Sequence, residues 1–341
     1  VAERRRQRHP RTIDDPSERR TKDMPERQGS IRAPHRGLCG KRRHPHGRIV
    51  QGPPHRDNRK TLLRRERTEI GKDVLPLYLF QLHDPNQHAP RNARSDAAIR
   101  REQVASPLPK TLLLAFMAGA FIAMGGLLSI MIGFGFPEVA HAPGVQRLLS
   151  GAVFPLGLVL VVFTGAELFT GNNAVLVPGA LEESYGWKQV FRNWGLVYAG
   201  NFAGALFFAY FLVALPDLLA ADLWREAACN IARTKVSLPW TTVFLRGIGA
   251  NWLVCLAVWL GLCATETPGR IAGLFLPVAA FVAMGYEHCI ANMFFIPLGM
   301  MLGAEVTTTQ LLADNLLPAT LGNIAGGALF VGMAHAYLWR K

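Results

Sequence analysis

Three ionisable side chains lie inside long apolar stretches of this sequence, where a charge has no water to solvate it. Glu167 and Glu287 each follow a glycine by two residues, and His288 comes directly after the second glutamate. Such groups are costly in a membrane and persist mostly where they face a pathway or a partner. For the glutamates a structural role is the alternative, because a buried carboxylate can accept hydrogen bonds from the backbone of an interrupted helix.

His288 is harder to explain as scaffold. An unperturbed imidazole has a pKa of about 6.5, and a nearby charge or desolvation can move it. The ring can donate a hydrogen bond to an oxyanion or pass it a proton, and a neutral acid crosses an apolar constriction more easily than its anion does. Asn251, in a later apolar stretch, can hydrogen-bond the same ligand or a neighbouring helix.

A membrane metalloenzyme is the competing class, and the spacing opposes it. Such an enzyme would need two histidines and a glutamate at helical spacing, as in HExxH. A glutamate and a histidine that are adjacent in sequence point about 100° apart on a helix. The five cysteines form no CxxC pair and no metal-ligand spacing. We therefore expect no enzyme activity, no metal and no cofactor.

Six apolar stretches are each long enough to cross a bilayer, which takes about 20 residues. They cover residues 111–134, 148–179, 193–215, 241–263, 271–301 and 316–338. An even number of spans puts both termini on one side, and the basic residues before the first span favour the cytoplasm. We expect an all-α integral membrane protein of a bacterial-type inner membrane, with both termini cytoplasmic.

The second and fifth stretches are interrupted by polar segments that match each other. The matched pairs are Gly165 with Gly285, Glu167 with Glu287, Asn172 with Asn292, and Gly200-Asn201-Phe202-Ala203-Gly204 with Gly322-Asn323-Ile324-Ala325-Gly326. His288 has no counterpart, because Leu168 stands in its place. Three spans per copy force the two copies into opposite orientations. Inverted repeats with a broken helix in each copy are typical of a transport pathway whose site lies near the midplane.

The glycines divide into two predicted roles. Those beside the polar segments, Gly165, Gly171 and Gly285, are expected to break helices and line a cavity. The others are expected to let helix backbones approach closely. These are Gly119, Gly125, Gly126, Gly200, Gly204, Gly322 and Gly326.

Four motifs resemble the formate/nitrite transporter family. They are Gly165-Ala166-Glu167-Leu168-Phe169-Thr170-Gly171, the run from Asn251 to Trp259, the run from Gly285 to Met293, and the run from Asn315 to Asn323. The resemblance extends over residues 110–341, motif by motif in order. It implies an aquaporin-like protomer with broken second and fifth helices, assembled as a homopentamer with one pore per subunit.

The resemblance also implies roles for single residues. His288 corresponds to the central pore histidine, Thr170 to its partner on the loop that interrupts the second span, and Asn251 to the polar pore residue of the fourth span. Lys235 corresponds to a buried lysine that attracts anions in the outer vestibule, with a solvated loop charge as the alternative. The implied apolar constrictions are Leu158, Phe169 and Val254 on the inner side and Phe154 and Phe281 on the outer side.

The resemblance leaves the substrate open. Cys289 and Met284 stand where the family commonly has serine, and the motifs are divided between the formate and nitrite branches. We expect transport of a small monovalent anion, formate or nitrite, with proton transfer as a further possibility. The alternatives are a hydrosulfide or other small-anion channel of the same fold, and a non-conducting membrane sensor or scaffold.

Residues 1–109 differ sharply from the rest. They carry 26 basic and 13 acidic residues, whereas residues 110–341 carry 11 of each, so the whole net charge of +13 lies in this extension. High charge and low hydrophobicity predict disorder. Three interpretations stay open: a nucleic-acid-binding arm, a tail held near anionic lipid, and a start extended beyond the native coding sequence. We expect no nucleic-acid partner, and a membrane domain that spans residues 110–341.

Overall fold

The computed structural model describes residues 101–339, and every regular element in this range is helical. The predictions made for residues 1–100 lie outside the described residues. Nine helices organise residues 108–338 of this range, and two short helical segments, Pro137–His141 and Val177–Leu181, connect them. The nine are α1 (Leu108–Gly133), α2 (Pro143–Thr164), α3 (Phe169–Val175), α4 (Trp187–Ala214), α5 (Asp222–Ser237), α6 (Trp240–Cys263), α7 (Thr267–Met284), α8 (Cys289–Met301) and α9 (Gln310–Leu338).

Six of these helices are long and apolar enough to cross a bilayer, as predicted: α1, α2, α4, α6, α7 and α9. The second and fifth spans are broken, also as predicted. Gly165 ends α2 with a φ of 70°, and Gly285 ends α7 with a φ of 73°. This left-handed conformation suits glycine because it has no Cβ. Gly171 lies within α3, so the prediction that it breaks the helix is wrong.

The two halves repeat the same helix packing. α1 packs on α4, and α6 packs on α9. A Cβ on Gly119 of α1 would meet the backbone of Asn201, and a Cβ on Gly322 of α9 would meet the backbone of Phe244. Because glycine leaves that space empty, the backbones touch in both pairs. This agrees with the predicted packing role of these glycines.

Two elements differ from the prediction. The segment between the third and fourth predicted spans, for which no helix was predicted, contains helix α5, which packs on α8. Its buried face is made of small apolar residues, among them Ala228 and Ala232, which lie against Gly299. Short alanine-rich faces carry too little hydropathy to stand out as a helix in sequence. In addition, α4 and α9 contain π-helical turns that no local pattern indicated.

Some of the residues just before residue 110 are packed against the described fold. Residues 101–105 are helical, and Gln103 and Val104 are 4% and 7% exposed. The Gln103 side chain reaches a buried carboxylate of the first half, as described below. The domain boundary expected at residue 110 stays a prediction, and these packed residues lie just before it.

Candidate functional site

His288 lies in the break between α7 and α8 and is 2% exposed. Its Nδ1 accepts the backbone N–H of Ala291 at 3.1 Å, so the ring caps the first turn of α8. Its Nε2 lies 3.0 Å from the hydroxyl oxygen of Thr170, which is fully buried on α3. The structure thus brings together the two residues that the family resemblance implied as partners, one from each half of the repeat.

These two contacts fix the tautomer of the imidazole. A neutral ring nitrogen that accepts a hydrogen bond carries no proton, so the proton of His288 lies on Nε2. Nε2–H then donates to the hydroxyl oxygen of Thr170. The hydroxyl's own hydrogen can point to a second acceptor, such as an oxyanion. The pair forms a short donor chain in a water-poor place, where hydrogen bonds are electrostatically stronger.

Asn251 acts as a brace between three helices. It is fully buried on α6. Its Nδ2 lies 3.1 Å from the carbonyl oxygen of Thr170, 2.6 Å from that of Asn323 and 3.2 Å from Oδ1 of Asn173. An amide nitrogen has two hydrogens, so these acceptors occupy its donor capacity. In this conformation Asn251 bonds to neighbouring helices and positions Thr170. Bonding to a helix was one of the two roles predicted for Asn251, and bonding to the ligand was the other.

The predicted outer constriction consists of rings in contact beside His288. Phe154 of α2 and Phe281 of α7 meet edge to face, with centroids 5.7 Å apart. Phe281 in turn stacks on the imidazole of His288, with centroids 5.8 Å apart. The two phenylalanines are 2% and 3% exposed. The two rings that the resemblance assigns to the outer constriction are therefore in direct contact with each other and with His288.

The predicted inner constriction is equally buried. Leu158, Phe169 and Val254 are 2%, 3% and 2% exposed. Phe169 directly precedes Thr170, and its ring packs edge to face on Tyr198 at 4.9 Å. Val254 lies about one turn after Asn251 on α6. Each of the two apolar sets therefore contains residues from both halves of the chain, and Phe281 and Phe169 are the members directly beside His288 and Thr170.

Lys235 of α5 pairs with Glu287, the residue that directly precedes His288. Its Nζ lies 3.1 and 3.0 Å from the two carboxylate oxygens. The lysine side chain is 15% exposed and the glutamate side chain 4%. Glu287 also accepts from Asn292 at 2.7 Å and from Asn315 at 3.4 Å. Lys235 is thus a largely buried charge with a fixed position, and the solvated-loop alternative does not fit its surroundings.

Glu167 lies in a similar cluster in the other half. Its Oε2 accepts from Gln103 at 2.7 Å and from Asn172 at 2.6 Å. Gln103 and Lys235 occupy equivalent positions in the two halves. Gln103 lies eleven residues before Leu114, and Lys235 lies eleven residues before Arg246. The carbonyls of Leu114 and Arg246 each bind the broken-helix loop of their half. At the Gln103 and Lys235 positions, the donor to the carboxylate is an amide in the first half and an ammonium in the second.

Two asparagines hold the broken-helix loops in place. Asn201 accepts the N–H of Phe169 at 3.0 Å and donates to the carbonyls of Ala115 and Glu167. In the other half, Asn323 accepts the N–H of Cys289 and donates to the carbonyls of Gly247 and Glu287. The structural role considered for the two glutamates was to bind the backbone of the interrupted helices. In the structure, the asparagines on α4 and α9 bind that backbone.

The sequence contained a signal for these asparagines. Asn201 and Asn323 stand between the paired glycines of the Gly-Asn-Xaa-Ala-Gly repeat, although only the glycines were assigned a role. Gln103, Asn193 and Asn315 had no such signal, because their partners lie 64, 21 and 23 residues away. Among residues 101–339, no group of three or more His, Cys, Asp or Glu side chains could hold a metal ion.

Comparison with known proteins agrees with this geometry. Residues 93–337 match the model of a family described as formate/nitrite transporter. Over 263 residues, 43% are identical to a probable formate transporter of Methanothermobacter thermautotrophicus, covering 73% of this chain and 96% of that protein. Over 251 residues, 35% are identical to the formate channel FocA of Escherichia coli strain K12, covering 68% of this chain and 87% of that one.

A solved structure resembles the described fold. It is titled a pentameric formate channel with formate bound, and it superposes with a TM-score of 0.62 at 35% sequence identity. The match covers 69% of this chain and 98% of that chain. The aquaporin-like arrangement of six spans expected from the sequence is therefore shared with known channels.

Proposed function

The chain belongs to the formate/nitrite transporter family, and we propose that it lets formate or nitrite cross the membrane through a pore in each protomer. In this proposal the anion passes the outer rings of Phe154 and Phe281, meets His288 and Thr170, and leaves past the inner apolar set of Leu158, Phe169 and Val254. Glu287, Glu167 and Asn251 hold the broken helices that present the polar pair.

The observation that carries the proposal is the contact between His288 and Thr170. It joins the two halves of the inverted repeat at the place where both helices are interrupted. Since Nδ1 is engaged by Ala291, the donor chain points away from the α8 backbone and towards Thr170. A fixed donor with apolar neighbours can replace part of an anion's hydration shell without trapping it, which conduction requires.

Proton transfer to the anion is the finer part of the proposal. A neutral imidazole would become an imidazolate if it gave up its Nε2 proton, so transfer needs the doubly protonated ring. Protonation of Nδ1 would replace its acceptor role and break the contact with Ala291. We therefore assign His288 first as a hydrogen-bond donor. Proton transfer would accompany a local rearrangement of the first turn of α8.

The surroundings of the pore complete the proposal. Lys235 draws anions towards the outer constriction by Coulomb attraction. Both termini lie in the cytoplasm of a bacterial-type cell, and Lys235 lies on the opposite side of the membrane. Large apolar side chains are exposed on several spans, among them Leu148 at 65%, Leu245 at 63% and Leu276 at 67%. Such surfaces need lipid or another subunit. They suit a homopentamer embedded in the inner membrane.

The test is anion uptake into proteoliposomes that contain the purified full-length protein. Formate, nitrite and hydrosulfide are compared at several pH values, with sulfate and protein-free vesicles as negative controls. Uptake of formate or nitrite above the controls supports the proposal and names the substrate. Uptake of hydrosulfide alone supports the alternative channel, and the absence of uptake for all three anions supports the sensor alternative.

A further inference from the structure

Tyr198 of α4 and Thr320 of α9 form a hydrogen bond between the two halves of the chain. Their hydroxyl oxygens lie 2.9 Å apart, and both residues are half-buried. The two residues occupy matching positions in the repeat, since each lies three residues before the asparagine that holds its broken-helix loop, Asn201 or Asn323. A residue that contacts its own counterpart lies at the axis that relates the two copies. The pair therefore joins the halves at the place where they meet.

Each member of this pair also contacts the first residue of the broken helix in its own half. The ring of Tyr198 packs edge to face on Phe169, the first residue of α3, with centroids 4.9 Å apart. The hydroxyl of Thr320 is a hydrogen-bond partner of the thiol of Cys289, the first residue of α8. Phe169 and Cys289 are 3% and 0% exposed. The pair thus holds the starts of both half-helices relative to each other.

These first residues are the chain neighbours of the two residues that meet in the site. Phe169 directly precedes Thr170, and Cys289 directly follows His288. A closed series of four contacts results: His288 with Thr170, Phe169 with Tyr198, Tyr198 with Thr320, and Thr320 with Cys289. The first and third of these contacts cross from one half to the other. Because the peptide unit between chain neighbours is planar and of fixed length, the separation across one crossing constrains the separation across the other.

From this arrangement we propose that Tyr198 and Thr320 are positioning residues for the contact between His288 and Thr170. Their hydrogen bond keeps the starts of α3 and α8 at the separation at which Nε2 of His288 reaches the hydroxyl of Thr170. Without the bond the two starts can separate, and a hydrogen bond is lost once its heavy atoms are more than about 3.5 Å apart. Neither residue needs to touch the anion. The inference rests on the proposed function, since its effect is on anion uptake through the same site.

The test measures the initial rate of formate or nitrite uptake into proteoliposomes for Tyr198→Phe, Thr320→Val and the double variant. Tyr198→Phe keeps the ring against Phe169 and removes only the hydroxyl, and Thr320→Val keeps the shape of the side chain. We expect each single variant to lower the rate about fivefold, the equilibrium factor that corresponds to one neutral hydrogen bond. The double variant should show the same fall rather than the product of the two, because each hydroxyl acts through the other. Thr320→Ser keeps a hydroxyl and should retain the wild-type rate.

Tyr185→Phe is the matched control. The hydroxyl of Tyr185 donates to the carbonyl oxygen of Leu176 at 2.9 Å, within the first half and outside the series of contacts described above. The two tyrosine-to-phenylalanine changes should lower the free energy of unfolding by similar amounts, whereas only Tyr198→Phe should lower uptake. If Tyr198 only stabilised the fold, the two variants would behave alike in both measurements.

The outcomes separate the inference from the proposed function. If the wild type carries formate or nitrite and Tyr198→Phe carries it at the same rate, the role of the pair is overturned while the proposed function stands. An equal fall in Tyr185→Phe overturns that role too, and so does a double variant whose rate falls by the product of the single effects. If the wild type carries neither anion, the proposed function fails and the inference fails with it. Should Thr320→Val not purify as a folded protein, Thr320→Ala carries the same comparison.

Discussion

Removing the ammonium of Lys235 should destabilise the protein more than any other single polar change in the described site. The substitution Lys235→Met keeps the length of the side chain but leaves the Glu287 carboxylate, 4% exposed, without its cation. Two amide donors remain, Asn292 at 2.7 Å and Asn315 at 3.4 Å. Breaking a buried ion pair by removing one partner costs about 3–5 kcal/mol. We expect the free energy of unfolding of Lys235→Met to fall by this amount.

Two further variants show whether the cause is the uncompensated charge. Lys235→Gln keeps one N–H donor, as Gln103 provides at the equivalent place. A hydrogen bond to a charged group contributes about 1.5–3 kcal/mol, so about half of the loss should be recovered. The double variant Lys235→Met with Glu287→Gln leaves no buried charge and should recover most of the stability, since a buried pair replaced as a whole is often neutral.

The assay is denaturant unfolding of the purified protein in detergent, followed by tryptophan fluorescence. The expected order of the free energy of unfolding is wild type, then the double variant, then Lys235→Gln, then Lys235→Met. Equal stability of Lys235→Met and wild type would refute the reasoning. So would a double variant less stable than Lys235→Met, because the penalty could then not come from an unpaired carboxylate.

Three smaller changes test other contacts of the site. Thr170→Val should lower formate uptake and reduce the free energy of unfolding by about 1–3 kcal/mol, because it leaves Nε2–H of His288 without its acceptor. Thr170→Ser keeps the hydroxyl and should retain uptake. Wild-type uptake in Thr170→Val would contradict the assignment. Asn323→Ala removes three hydrogen bonds and should cost roughly 3 kcal/mol in the same unfolding assay. Gly285→Ala forces a Cβ into a left-handed residue and should cost about 1–2 kcal/mol, a loss that the same change at Gly171, inside α3, should not share.

Much of the fold could be predicted because its main features are local. Hydropathy marks each span within about 20 residues, and the glycine–glutamate pairs mark both interruptions. The wrong prediction for Gly171 shows the limit of such patterns. A glycine near an interruption looks the same whether it ends one helix or lies in the first turn of the next.

The contacts of the site could be predicted only where the family resemblance supplied them. His288 and Thr170 meet across 118 residues, and the pairing came from the family resemblance rather than from spacing. Gln103 lies in a segment whose composition predicts disorder, yet it reaches a buried carboxylate. Tyr198 is one aromatic residue among many on α4, and only the fold places it between Phe169 and Thr320.

The central claim is that the anion meets the His288 side chain, and His288→Asn tests it most directly. Asparagine is a favoured helix cap, so it can replace Nδ1 as the acceptor for Ala291 while it is too short to reach Thr170. Formate uptake into proteoliposomes is measured across pH for wild type and His288→Asn at equal protein content. We predict that the variant folds as wild type does, loses most of the uptake and loses its pH dependence. Wild-type uptake with unchanged pH dependence in His288→Asn would reduce His288 to a helix cap and contradict the account.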